Sequence, residues 1–304
     1  MRTRTSAICE SFIEAGWLLA LVVVPLYFNV YSSRVFEPDK IVILRSLATL
    51  MAVAGLVRYA HERLQRPADA SDGQPGPAFG WRSPAVGWRS PLVLPALALA
   101  AVYVLATALS VVPRVSLWGS YQRLQGTYTT FAYLVIFGLL LVHLRRREQL
   151  ERLLMALVLA SLPVSLYGLL QHYRLDPLPW GGDTTFRVAS TMGNPIFVAA
   201  YLIMVVPLTI ARLAQQIARA VQGAGARERA LVGAVVGLAL AAQVFAWALL
   251  GLTWGVLVAL VTSAALAVTA ALLRRPPAAL LYIAAYVLIL GAQVVCVFFT
   301  QSRG

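Results

Sequence analysis

Three stretches of this chain set an arginine beside a helix boundary. In Phe186-Arg187-Val188-Ala189-Ser190-Thr191-Met192-Gly193-Asn194-Pro195, Asn194 is a good N-cap and Pro195 a good first helical residue. A helix starting there presents unpaired N–H groups, with Arg187 close in sequence. That combination suits a phosphate or pyrophosphate, which a guanidinium can grip with two N–H groups at once. In Trp118-Gly119-Ser120-Tyr121-Gln122-Arg123-Leu124-Gln125-Gly126-Thr127, an aromatic and glycine loop carries Arg123 to the start of the next apolar run. Thr300-Gln301-Ser302-Arg303-Gly304 follows the last apolar run. A second reading stands beside the first: an arginine at a helix end also anchors to lipid headgroups or snorkels, and a cap can simply start a helix.

Other reactive side chains are few near these stretches. His172, Asp176 and Asp183 precede Arg187, and nothing in their spacing marks a general base or a metal site. Cys9 and Cys296 are the two cysteines; they fall in the N-terminal segment and the last apolar run, which implies neither a disulfide nor a metal site.

The elements that must position these residues are membrane helices. The chain has 304 residues, 60% hydrophobic and 12% charged, and a mean hydropathy of +0.77. A soluble fold of this size needs more polar surface, so the bilayer is the solvent. Nine apolar runs approach spanning length, near 12–31, 41–58, 92–112, 127–144, 150–171, 195–213, 230–250, 253–273 and 279–300. The expectation is an all-α, polytopic integral membrane protein of about nine spans, a single membrane domain over 1–304. The first run lacks a small-residue cleavage site and reads as an uncleaved helix. With the N-terminus placed in the cytoplasm, 17 of the 25 Lys and Arg residues fall in cytoplasmic gaps, and Arg34, Lys40, Arg45, Arg114, Arg123, Arg174, Arg187 and Arg303 in the outer ones. Topology thus accounts for most of the +13 net charge. No soluble basic domain remains to carry nucleic-acid binding.

Residues 59–90 form a Pro- and Gly-rich cytoplasmic linker inside this domain. It holds a duplication, Gly80-Trp81-Arg82-Ser83-Pro84 and Gly87-Trp88-Arg89-Ser90-Pro91, which suits the headgroup layer and leaves a partner motif open. The gap from Arg212 to Arg229 can continue its helix as a basic amphipathic segment. Gly233-Ala234-Val235-Val236-Gly237 reads as a close helix-packing motif. Gln243 and Gln293 are the main polar residues near mid-span, and neither ionises, which counts against an ion-coupled transporter.

Five stretches together resemble the O-antigen ligase/polymerase superfamily (Wzy/WaaL type): Phe36-Glu37-Pro38-Asp39-Lys40 with Arg45, the Trp118–Gly126 loop, Phe186-Arg187, Gly193-Asn194-Pro195 leading into Phe197-Val198-Ala199-Ala200-Tyr201-Leu202, and Ser302-Arg303-Gly304. The resemblance implies a GT-C-like helical bundle in the bacterial inner membrane, serving lipopolysaccharide or other cell-surface polysaccharide assembly. It implies transfer of a glycan from undecaprenyl pyrophosphate to an acceptor hydroxyl, on a lipid or a glycan, with inversion and with neither metal nor cofactor. By match to the family's motifs, Arg187, Arg303, Arg123 and Arg45 are the pyrophosphate-binding candidates, and Asn194 supports the pocket. The family's acceptor-activating histidine lies in an outer loop beyond the Ser-Arg-Gly stretch, and His172 matches no motif. The expectation is therefore the N-terminal part of a longer enzyme, its general base unknown. The competing expectation is a non-catalytic scaffold or transporter component of glycan assembly.

Overall fold

The computed structural model describes residues 4–32, 34–65, 91–178, 183–272 and 277–302. Among them every long element is helical: α1 (Arg4–Leu26), α2 (Glu37–Leu64), α3 (Val93–Ala108), α4 (Pro113–Trp118), α5 (Thr127–His143), α6 (Arg147–His172), α7 (Pro195–Ala220), α8 (Ala226–Phe245), α9 (Leu252–Leu272) and α10 (Pro277–Thr300). A 3-10 turn covers Ser190–Met192 and a π turn Ala246–Leu250. Seven of these, α1, α2, α6, α7, α8 with its π turn, α9 and α10, are long and apolar enough to cross a membrane. The chain is a multi-pass membrane protein, all-helical among the described residues.

The expected spans near 92–112 and 127–144 are shorter than the others. α3 has 16 residues and α5 has 17, or about 24 and 26 Å at 1.5 Å per residue, against a hydrocarbon layer of about 30 Å. α3 ends at Ala108, and Val112, directly before Pro113, lies outside the helical region at φ −130° and ψ 80°. Pro113 then opens α4. In the linker, α2 carries the helix through Leu64; the duplicated Trp-Arg stretch lies outside the described residues, apart from Pro91.

The chain divides into two compact units, Met1–Leu153 and Leu154–Gly304. In the first, α1 packs on α2, and α5 packs on both and on α3 and α4. Ile13, Trp17 and Met51 form its buried centre. Gly16 is needed there: a β-carbon at that position would sit 2.5 Å from the Met51 Cγ. An ionic network joins the helices, a feature the sequence reading of quiet interiors passed over. Glu14 accepts from Arg152 Nε at 2.7 Å and from Gln149 Nε2 at 2.9 Å. Glu62 accepts from Arg58 Nε at 2.8 Å and Ser6 Oγ at 3.0 Å.

In the second unit α10 is the hub, packing against α7, α8 and α9, with Val205, Ile283, Val287 and Leu290 in the core. The two mid-span glutamines are its polar ties. Gln293 Nε2 donates to Ser161 Oγ on α6 at 2.6 Å and to Thr209 Oγ1 on α7 at 3.0 Å. Gln243 Nε2 donates to Thr262 Oγ1 across to α9 at 2.8 Å. The Gly233–Gly237 motif does not pack as expected. A β-carbon at either glycine would meet nothing within 4 Å, because α8 buries the face of Val232, Val236, Ala239 and Gln243 instead. Close approach happens at Gly168, Gly255 and Gly291. α7 continues through Ala220, as the basic gap suggested, but Arg212 is buried and donates to Gln215 Oε1 at 3.2 Å.

Candidate functional site

The segment before α7 is built as a short path pinned on both sides. Asp183 opens it by accepting from Thr185 N at 2.8 Å, from the Thr185 hydroxyl and from Phe186 N at 3.3 Å. These donors, the Thr185 hydroxyl first, hold the exposed Asp183 carboxyl below its ordinary value. The Thr185 carbonyl lies 2.7 Å from His172 Nδ1, and the His172 ring stacks on Phe299 at 3.6 Å between centroids. Val188, fully buried, donates its N–H to the Phe299 carbonyl at 3.2 Å. Ser190 donates from its N–H to Gln171 Oε1 at 2.7 Å and from its hydroxyl to the Val164 carbonyl at 2.6 Å. Gly193 takes the left-handed conformation at φ 71°, where a side chain would be strained. Asn194 then caps α7, its Oδ1 accepting from Ile196 N at 2.9 Å, with Pro195 in the first turn.

This path carries Arg187 to the C-terminal end of α10. Arg187 is exposed, and its Nε donates to the Thr300 carbonyl at 3.4 Å. One N–H fixes the side chain, and the four Nη hydrogens have no partner among the described residues. Thr300 precedes Arg303 by three residues in the Thr-Gln-Ser-Arg stretch; Arg303 itself lies outside the described residues. The structure thus brings Arg187 against the segment that leads to Arg303. His172, which matches no family motif, helps to hold the path through its contacts with the Thr185 carbonyl and Phe299.

In the first unit the two remaining candidates separate. Arg45 is 8% exposed on α2 and closes the 118–126 loop from beneath. Its Nε donates to Thr129 Oγ1 at 2.9 Å, and its Nη2 donates to the carbonyls of Trp118 at 2.8 Å and Leu124 at 2.5 Å. The guanidinium also lies 4.6 Å from the centre of the Tyr128 ring. Three of its five N–H groups are therefore committed to the protein. Two glycines make the loop possible: a β-carbon on Gly119 or Gly126 would overlap the other strand of the loop backbone. Arg123 sits at the open side, two-thirds exposed, with Nε 3.5 Å from Glu37 Oε2. Arg45 is a staple for the loop that displays Arg123. Its partners, backbone carbonyls distant in sequence, leave no trace in the linear pattern. Among the described residues no cluster of His, Cys, Asp and Glu could hold a metal ion.

Compared with known protein families, characterised proteins and solved structures, the chain matches none.

Proposed function

We propose that this protein acts in bacterial cell-surface glycan assembly as a member of the O-antigen ligase/polymerase superfamily, in a GT-C-like bundle with its N-terminus in the cytoplasm. In this reading α3 and α5 count as spans, giving nine. The reaction joins an acceptor hydroxyl oxygen to the anomeric carbon of a glycan and breaks the bond from that carbon to undecaprenyl pyrophosphate. The hydroxyl proton leaves to a general base. Negative charge builds on the departing pyrophosphate, and a fixed guanidinium stabilises it.

One observation carries the reading: Arg187 Nε meets the Thr300 carbonyl at the end of α10, a few residues before the capped start of α7 in sequence, with its Nη groups unpaired among the described residues. A guanidinium anchored at one edge and open at the other is ready for a bidentate anion without reorganisation. Rescue of a glycan-deficient strain tests this. Wild type should restore surface glycan, while Arg187→Lys, which keeps the charge and loses the fork, should not. Full rescue by Arg187→Lys would remove Arg187 from a pyrophosphate clamp.

A second reading is favoured by His172. Its Nδ1 meets the Thr185 carbonyl and its ring stacks on Phe299, contacts that hold the loop and give no sign of work as a general base. A protein that binds the lipid-linked glycan as a scaffold needs no such base. Binding without transfer by purified wild type would support that reading.

A further inference from the structure

The stretch between α3 and α5 has a composition and architecture that an aqueous loop does not need. Leu109, Val111, Val112, Val115, Trp118 and Tyr121 are all exposed, Val111 at 98% and Tyr121 at 82%. So many apolar side chains side by side mark a surface that something apolar covers. Several of its polar groups bond within the stretch itself, while Ser120, Gln122 and Gln125 are exposed. Ser110 and Ser116 pair through their hydroxyls at 2.6 Å, and Thr127 Oγ1 donates to the Ser116 carbonyl at 3.2 Å. Ser116 N and Gly119 N donate to the carbonyls of Val112 at 3.1 Å and Val115 at 2.8 Å, and Leu124 N donates to Ser120 O at 2.7 Å. Arg45 takes the carbonyls of Trp118 and Leu124. A non-helical backbone satisfied this way is tolerated at membrane depth.

The length of the flanking helices says how deep. α3 and α5 fall about 4 to 6 Å short of the hydrocarbon thickness, so the hairpin at their shared end completes the crossing. Arg114 and Arg123 are exposed among the apolar side chains, and Trp and Tyr with Arg is the composition of the headgroup boundary.

We propose that residues 109–126 form an interfacial hairpin. Its apolar side chains lie at the acyl boundary, and Arg114 and Arg123 meet the phosphates of membrane lipid. The occupant of this surface is the bilayer, and the proposal does not depend on glycan transfer.

Spin labels at Val111→Cys and Tyr121→Cys test it in the full chain, reconstituted in nanodiscs of phosphatidylcholine and phosphatidylglycerol. Both native cysteines are buried, and neither labelled position is packed. Arg147→Cys, whose native side chain is 86% exposed, is the aqueous reference. Oxygen collisions should exceed those of a water-soluble nickel chelate several-fold at 111 and 121, at a depth of about 5 to 10 Å, and should not at 147. Nickel-dominated collisions at 111 and 121 would overturn the proposal. Exclusion of both reagents with an immobilised spectrum would also overturn it, since that assigns the surface to a protein partner.

Discussion

Replacing Arg45 by methionine separates a staple from a ligand-binding arginine. Arg45→Met keeps a long apolar stem in place of the buried one and removes three hydrogen bonds and the contact with the Tyr128 ring. The losses are unequal. The Leu124 carbonyl keeps the Thr129 hydroxyl, 2.6 Å away, and through that bond Thr129 also keeps a partner. The Trp118 carbonyl loses its guanidinium, which costs about 1.5 to 3 kcal/mol, the net value of a hydrogen bond to a charged group. The lost cation–π contact adds about 1 kcal/mol. The loop should therefore open more easily by about 2 to 4 kcal/mol, which is about 30- to 1,000-fold in an opening equilibrium. Hydrogen exchange in nanodiscs reads this directly at the Arg123, Leu124, Thr129 and Thr130 amides, which donate within the loop and the first turn of α5. Arg45→Lys should fall between, since one ammonium cannot reach three acceptors at the same angles. Unchanged exchange in Arg45→Met would refute the staple.

Further outcomes follow from the packing and from the turn at Asp183. Gln293→Leu should change stability by no more than about 1 kcal/mol, because Ser161 and Thr209 keep their own-helix carbonyls and a buried unpartnered Oε1 disappears. Ser161→Ala with Thr209→Val should cost about 2 kcal/mol, since it strands both Gln293 donors; denaturant titration of the two variants should order them so. Gly168→Ala should lower thermal stability, by about 1 to 3 kcal/mol, because its β-carbon would lie 2.7 Å from Cys296 Sγ and from Val188 Cγ1. Gly233→Ala, facing open space, should be neutral or stabilise by up to about 1 kcal/mol. The Asp183 carboxyl is depressed from 3.8 by its Thr185 and Phe186 donors, so its hold on the loop is complete above pH 3.8 and is lost as pH falls through the lower folded value. Pepsin cleavage within 183–187 should therefore rise only at the acid end of its range, and Asp183→Asn should remove that pH dependence.

Periodicity and charge made the membrane helices legible because a span needs only length and apolar composition. The cap at Asn194-Pro195 was equally legible, since its chemistry is local in sequence. Partners distant in sequence were not. Arg45 and Trp118 are separated by 73 positions, and Gln293 and Ser161 by 132, so neither the hold of Arg45 on the 118–126 loop nor the ties made by the mid-span glutamines can be read along the chain. Gly233 and Gly237 mislead for a related reason. A four-residue spacing of small residues permits close approach, but which face of α8 is buried is decided by its neighbours. Glu14 was passed over because one carboxylate in an apolar run looks incidental until Gln149 and Arg152 meet it.

The claim that Arg187 is built to hold a pyrophosphate is tested most directly by native mass spectrometry of the full chain with undecaprenyl pyrophosphate and phosphatidylglycerol in competition. The pyrophosphate lipid should displace phosphatidylglycerol from wild type, and Arg187→Lys should weaken it about tenfold or more, the value of one charge-assisted bond of about 1.5 to 3 kcal/mol. Equal binding of the two lipids, or an Arg187→Lys variant that binds the pyrophosphate lipid as wild type does, would contradict it.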